Sequence, residues 1–490
     1  MNARNLNVLF LFSDQHRADL IGIEKHPDII TPNMDYLASR GIYFKRAYCQ
    51  DAICVPSRSS IFSGLYPRTL GCLDNSDNPA IQIIPLQKLF QLNGYFTAAF
   101  GKRHLIQACD DGWIIRKSHL KEEQDPDNYM DWIRRTGYIK EFARDWAAEW
   151  GNTHPYGPEA CNEFTRAPLS ARVSLLPNNM TPEAYTKNET ISQLKKCAEN
   201  KEPFFIFASF LRPHQPYTPL PSFFSSFNYS RWGKGLRNSD AISKPSLFDQ
   251  NPDELPIGLC KYKKNRSLPW NIAEAHDNQQ LFRYALAAYY AGIIEIDFHI
   301  GEIIHTLEKL NLIDKTIVIY TSDHGEFAGN HGLMEKSSSN HNLYEECLRV
   351  PLIISCPAIL PHNIISEELI ELIDIYPTLV DLCHLKKTND LQALQGTSLK
   401  NHIERNLPIN KKFLVSENWS QATVITKQHK LGIWLQPEKR TASNFLGSEN
   451  FLFDKKIDPF EEKNLIKNPE YSSIKKELYD AYELFRKKIN

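Results

Sequence analysis

Short, unbroken apolar runs alternate along this chain with stretches of helical periodicity. Runs at Asn7–Ser13, Phe96–Phe100, Phe204–Phe210 and Thr316–Thr321 predict strands buried on both faces, because a strand with one wet face would alternate apolar and polar residues. Helical patterns fall at Asn33–Arg40, Pro85–Gln91, Tyr185–Cys197, Ala285–Leu310 and Glu367–Cys383. The succession predicts an α/β fold, a large and mostly parallel sheet flanked by helices. Near residue 400 the pattern changes. Phe413–Glu417, Ala422–Ile425, Lys430–Trp434 and Phe451–Phe453 read as short strands. An amphipathic helix follows, with Ile474, Leu478, Ala481, Tyr482 and Phe485 on one face. The expectation is one large domain over 1–400 and a small antiparallel α+β subdomain over 401–490. Two stretches break the rhythm. Residues 110–177, rich in Trp, Tyr and Pro, read as an insertion near the sheet edge, and 223–270 is irregular and polar. Such insertions often shape a binding pocket. Trp113, Trp132, Trp146 and Trp150 either stack on ligand rings or pack as local core, the second being the commoner role.

Composition narrows the classes of function. A formal net charge of −1 gives no ground for expecting nucleic acid or an anionic membrane as partner, so any positive site must be local. The longest apolar runs, such as Val8–Phe12 and Ile317–Tyr320, are too short to span a bilayer. The chain enters its first strand without a basic region and cleavage site, so no signal peptide is visible. Ten cysteines without a CxxC pair read as mostly free thiols in a reducing compartment. The expected location is the cytoplasm.

Open parallel sheets place their sites beyond the carboxyl ends of strands. Each predicted core strand delivers polar residues there: Asp14 and Gln15, Lys102 and His104, His214, then Asp323, His324 and Lys336. Carboxylate and amide oxygens suit a hard cation such as Ca²⁺ or Mg²⁺, and His324 leaves room for Mn²⁺ or Zn²⁺. Lys102, His104, His214 and Lys336 supply donors for a tetrahedral anion. Arg17, Arg103 and His331 read as structural. The pentapeptide Cys54-Val55-Pro56-Ser57-Arg58 opens a predicted helix, Ser57 to Leu65, with Pro56 tolerated in its first turn and Gly64 as its stop. Cys54 then lies at a helix N-terminus, where negative charge is favoured. A lone cysteine before a proline is otherwise a small buried hydrophobe. The four polar strand ends shift the weight toward chemistry.

These residues resemble the type I sulfatases of the alkaline phosphatase superfamily. The resemblance runs through Asn7–Arg17 (NVLFLFSDQHR), Thr31–Leu37 (TPNMDYL), Ala47–Arg68 (AYCQDAICVPSRSSIFSGLYPR), Gly101–His104 (GKRH) and Pro213–Pro216 (PHQP). It continues in Ser322–Lys336 (SDHGEFAGNHGLMEK), Tyr344–Leu352 (YEECLRVPL), Asp374–Leu379 (DIYPTL) and Leu452–Leu465 (LFDKKIDPFEEKNL). It implies that a formylglycine-generating enzyme oxidises Cys54 to Cα-formylglycine, with Arg58 bracing the mature residue. The hydrated aldehyde would attack the sulfur of a small sulfate ester, such as a glycan fragment or an aryl or alkyl sulfate, and then expel sulfate. By position, Asp14, Gln15, Asp323 and His324 would hold one divalent cation, Ca²⁺ by preference with Mg²⁺ or Mn²⁺ as alternatives, together with residue 54. Lys102 and His104 would contact the formylglycine, with His104 as the base. His214 and Lys336 would hold sulfate and assist the leaving group, and Asn75 would face the substrate. Many arylsulfatases carry Asp-Asp and Asp-Asn at the cation site. Asp14-Gln15 and Asp323-His324 look more like choline sulfatases, phosphonate monoester hydrolases and some glycan sulfatases. The alternatives are a phosphonate monoester or phosphodiester hydrolase on the same scaffold, which the Lys102 and His104 pair disfavours, and a non-catalytic anion-binding relative with unmodified Cys54.

Overall fold

The computed structural model describes residues 6–118, 125–151, 166–227, 242–264, 279–336, 343–435 and 449–489. The strands are β1 (Asn7–Asp14), β2 (Gly41–Tyr48), β3 (Phe96–Gly101), β4 (Ile115–Lys117), β5 (Phe204–Pro213), β6 (Thr316–Ser322), β7 (Arg349–Val350), β8 (Leu352–Ser355) and β9 (Ile364–Glu371). They form one sheet in the order β4-β3-β5-β1-β6-β8-β2-β7, with β9 paired to β2. β4, β3, β5, β1 and β6 run parallel, and β9 runs parallel to β2. β8 is antiparallel to both β6 and β2, and β7 is antiparallel to β2.

The central strands are apolar throughout because both sheet faces are covered. Along β1, Leu9 and Leu11 pack into one layer with Met34 and Leu37 of α1 (Pro32–Ser39), Leu194 of the helix Pro182–Asn200 and Ile300 of the helix Gln279–Lys309. Val8, Phe10 and Phe12 face the other layer, with Ile61 and Phe62 of α2 (Cys54–Ser63) and Leu89 of the helix Leu86–Leu92. Phe62 meets Phe207 edge-on with ring centroids 5.0 Å apart, which seats α2 against the sheet.

Three elements differ from the expectation. α2 begins at Cys54 rather than Ser57 and ends at Ser63, with Gly64 in the left-handed conformation as its cap. Pro56 sits in the first turn, where no backbone donor is needed. The helix expected over Glu367–Cys383 is strand β9, a 3-10 turn at Leu372–Asp374 and a short helix at Ile375–Leu382. The Glu- and Leu-rich sequence favours helix locally, but pairing with β2 overrides that preference. The 110–177 stretch has more order than its weak periodicity suggested. It supplies edge strand β4 and the helices Tyr129–Thr136 and Ile139–Trp150. Part of 223–270 lies outside the described residues.

The second sheet runs β10 (Leu414–Glu417), β11 (Gln421–Ile425), β12 (His429–Trp434) and β13 (Phe451–Asp454), antiparallel throughout. The helix Ser472–Ile489 covers it through Leu478, Tyr482, Phe485 and Ile489. Among the described residues no helix is long and apolar enough to cross a membrane. The described cysteines Cys49, Cys54, Cys72, Cys109, Cys197, Cys260, Cys347, Cys356 and Cys383 are free thiols.

At Gly101, φ is +87° and an added Cβ would lie 1.9 Å from the Ser209 carbonyl of β5. Gly101→Ala is expected to destabilise by at least about 2 kcal/mol, from left-handed strain and overpacking together. Gly94 has φ +82° and nothing within 4 Å of the added Cβ, so Gly94→Ala is expected to cost only about 1 kcal/mol. Urea midpoints of the two variants check the difference.

Candidate active site

The carboxyl ends of β1, β3, β5 and β6 converge on the N-terminus of α2. Asp14 ends β1, and Asp323 and His324 follow β6 directly. The ligand atoms of Asp14, Cys54, Asp323 and His324 all lie within 4.8 Å of one another, and all four residues are buried. Cys54 Sγ is 3.2 Å from His324 Nε2 and 4.0 Å from Asp14 Oδ1. The cysteine is placed by its helix start. Val55 N–H donates to Asn75 Oδ1 at 3.0 Å, and Ile53 N–H to Asp51 Oδ1 at 3.1 Å, so side chains cap the first turn.

Arg58, one turn on, is wholly buried. Its Nε donates to Asp323 Oδ2 at 2.6 Å and its Nη2 to Asp14 Oδ2 at 3.2 Å. Its Nη1 donates to the Lys102 carbonyl at 2.8 Å and the Ser209 hydroxyl at 3.1 Å. The guanidinium also stacks over Phe12, 4.9 Å from the ring centroid.

The electrostatics follow from these contacts. Burial alone would raise the Asp14 carboxyl, but Lys102, His214, Arg58 and His324 together hold it well below the usual carboxylate range. Asp323 is likewise lowered against burial, chiefly by Arg58. Lys102 pairs with Asp14 and stays above its ordinary value although burial opposes the charge. Burial, then Lys102 and Arg58, push His104 well below the ordinary histidine value, so its imidazole is neutral. Burial lowers His324 too, with Asp323 opposing. His324 Nδ1 lies 2.9 Å from the Gly325 carbonyl; if that nitrogen carries the proton, the Nε2 lone pair faces the cluster. Two ionised carboxylates and a neutral imidazole aimed at one point fit a divalent cation.

Lys336 donates from Nζ to Gln15 Oε1 at 2.8 Å and pairs with Glu335 at 3.3 Å. Burial opposes its charge, yet Glu335 raises it above its ordinary value. His214, half-buried, has Nδ1 2.6 Å from the Gln215 carbonyl. These contacts bring Asp14, Cys54, Arg58, Lys102, Asp323 and His324 together, with Gln15 and Lys336 joined to them. Gln15 differs in detail: its side chain is engaged by Lys336, Gln215 and Glu326. Asn75 and His104 line a cleft of about 840 Å³ that opens beside Val55.

Arg17, Arg103 and His331 have structural partners. Arg17 holds Asp19, Arg103 holds Asp110 and Asp125, and His331 holds Gln250. The tryptophans are mostly core: Trp113 packs on Phe62 and Phe205, Trp132 on Tyr185 and Trp146 on Phe142. Trp150 is 41% exposed. Sequence reasoning missed Gln215, Glu326 and Glu149. Burial, then Glu335, raises Glu326 to about 7 and Glu149 to about 8. Gln215 and Glu326 lie inside the quoted PHQP and SDHGEF segments, which was the available signal. Glu149 had none.

The model of the family described as Sulfatase matches residues 6–385. The chain belongs to the sulfatase family. A model described as N-sulphoglucosamine sulphohydrolase, C-terminal, matches residues 329–488. This sulfatase is 27% identical over 490 residues to an arylsulfatase of Clostridium perfringens, covering 95% of this chain and 91% of the relative. It is 26% identical over 530 residues to an N-acetylglucosamine-6-O-sulfatase of Bacteroides thetaiotaomicron, covering 97% and 85%. A solved phosphonate monoester hydrolase of Agrobacterium radiobacter superposes with a TM-score of 0.79 at 22% identity, over 99% of this chain and 96% of that one. A protein solved with its substrate D-glucosamine-2-N,6-O-disulfate gives 0.71 at 22% identity, over 99% and 98%. At those identities the structures establish the fold alone. The curated relatives and the family model make the chain a sulfatase, an enzyme of sulfuric ester hydrolysis.

Glu346 buttresses the loop that carries Lys336. It accepts from Asn330 Nδ2 at 2.7 Å and faces His331 Nε2 at 3.5 Å. Burial would raise its carboxyl, but His331 and Asn330 hold it at about 2, against an ordinary 4.5. A depressed carboxylate stabilises the fold above its unfolded value, and that stability is lost as pH falls through the folded value. Glu346→Gln is expected to destabilise by about 3 kcal/mol at pH 7, with the gap shrinking between pH 4.5 and pH 2. Urea unfolding at pH 7 and pH 3 measures it, and an equal gap at both would contradict the assignment.

Proposed function

We propose that the enzyme cleaves a sulfate monoester with residue 54, matured from cysteine to Cα-formylglycine, as nucleophile beside one divalent cation. The carrying observation is the placement of Cys54 Sγ, at the first residue of α2, among Asp14, Asp323 and His324. That sulfur marks the position the oxygens of the hydrated aldehyde would take. Asp14, Gln15, Asp323 and His324 would hold the cation, Ca²⁺ by preference with Mg²⁺ or Mn²⁺ as alternatives. When bound, the cation would lower the pKa of a coordinated hydroxyl and offset charge on sulfate.

The roles of the side chains follow from their charge states. Lys102, beside Asp14, would orient the hydrate. Lys336 and His214 would hold sulfate oxygens, and one of them would deliver the proton that the departing alcohol needs. His104, kept neutral by burial and its cationic neighbours, would take the proton of the second hydroxyl as sulfate leaves and the aldehyde returns. Water would then rehydrate the aldehyde, so each turnover consumes one water.

The alcohol would occupy the cleft beside Asn75 and His104. Asp77, Asn78, Gln107 and Asp111 also line it. This polar wall favours a hydroxylated alcohol such as a sugar, and the packed tryptophans weigh against an aromatic platform. A formylglycine-generating enzyme is the maturation partner this reading requires. The Asp14-Gln15 and Asp323-His324 pairs favour a second reading, phosphonate monoester or phosphodiester hydrolysis. Lys102 and His104 weigh for sulfate.

Protein made with a formylglycine-generating enzyme is expected to show the aldehyde mass on its Cys54 peptide. It should release inorganic sulfate from sulfated sugars faster than it cleaves a phosphonate monoester. Cys54→Ser is expected to lose steady turnover by at least about a thousandfold. His104→Ala is expected to release about one equivalent of alcohol and then stall, as a lost elimination base requires. Mature protein that prefers the phosphonate would select the second reading, and mature protein inert on every ester would refute both.

A further inference from the structure

Gln15 is held at many points. Its backbone lies in the left-handed region at φ 69°, where a residue with a side chain persists only under constraint. Its N–H donates to Asp323 Oδ1 at 3.1 Å, and its carbonyl accepts from the Tyr289 hydroxyl at 2.7 Å. The side chain is clamped at both ends. Lys336 Nζ donates to Oε1 at 2.8 Å. Nε2 donates to Gln215 Oε1 at 3.0 Å and to a Glu326 carboxylate oxygen. Gln215 in turn donates its Nε2 to Glu335, the partner of Lys336.

A terminal amide fits its site either way round, so its orientation is decided by its partners. An ammonium only donates, so the Gln15 atom facing Lys336 is its oxygen. Glu335 accepts from the Lys336 ammonium at 3.3 Å and from the Lys336 N–H at 2.9 Å, so donors face both of its oxygens. Glu335 therefore only accepts, and Gln215 turns its NH₂ to it and its oxygen to Gln15. The two assignments agree from opposite ends.

The geometry points to Gln215 and Glu326 as positioning residues that lock the Gln15 amide with its oxygen toward Lys336 and the cation site. Without them Lys336 alone holds the Gln15 amide, at its oxygen, and the two acceptors that fix its NH₂ are lost; an amide nitrogen does not ligate a hard cation. The inference rests on the proposed reading of Gln15 as a cation ligand.

The test uses mature, full-length protein stripped with a chelator and titrated with Mn²⁺ by calorimetry, with the Mn²⁺ electron paramagnetic resonance spectrum as a second readout. Gln215→Leu and Glu326→Leu are expected to weaken Mn²⁺ binding about 10- to 100-fold and to alter the spectrum. Glu326→Gln keeps an acceptor oxygen for Gln15 and is expected to recover most of the affinity lost in Glu326→Leu. Thermal melts of the metal-free variants verify folding. Gln215→Asn, too short to bridge, replaces a leucine variant that fails to fold and is expected to weaken binding in the same direction. No Mn²⁺ binding by the wild type would remove the cation reading itself. Wild-type binding with unchanged affinity and spectra in the folded variants would overturn the relay alone, whatever happens to activity.

Discussion

A guanidinium sealed from water must be paired and hydrogen-bonded, since the penalty for burying an ion is several kcal/mol. Arg58 meets that demand with Asp14 from β1, Asp323 from the end of β6, the Lys102 carbonyl after β3 and Ser209 of β5. Four neighbouring strands must therefore come together for one side chain to be tolerated. The same convergence surrounds Cys54 with Asp14, Asp323 and His324. Removing either carboxylate would leave a buried charge uncompensated, a loss of about 3–5 kcal/mol. Stability and site geometry thus rest on one contact set.

The dryness of that set governs its chemistry. Charges interact far more strongly where water is excluded. Lys102 and Lys336 stay charged because carboxylates face them, whereas His104 stays neutral because burial and then its cationic neighbours oppose a charge. The pocket therefore holds fixed positive charge for an anion and an uncharged imidazole able to accept a proton. Helices pack on both sheet faces, and a cleft opens beside Val55, Asn75 and His104 at the carboxyl ends of the strands.

Much of this was legible in the chain. The runs at Asn7–Ser13, Phe96–Phe100, Phe204–Phe210 and Thr316–Thr321 lie within β1, β3, β5 and β6, because two-sided burial leaves a signature that no other element shares at that length. The polar residues just past them were readable as a site because chain direction places them at one edge. β9 was not legible: Ser366-Glu367-Glu368-Leu369 favours helix locally, and only its pairing with β2 makes it a strand. Gln215 and Glu326 escaped notice for a related reason. Their partner Gln15 lies far away in sequence, and adjacency between β5, β1 and β6 is a property of strand order.

Anomalous diffraction from Mn²⁺-soaked crystals of the mature protein addresses the central claim most directly. The account predicts one strong peak bonded to Asp14, Gln15, Asp323, His324 and residue 54, with Arg58 still bridging the two carboxylates. A peak elsewhere, or density showing Lys102 and Arg58 alone neutralising Asp14 and Asp323 at saturating Mn²⁺, would contradict it.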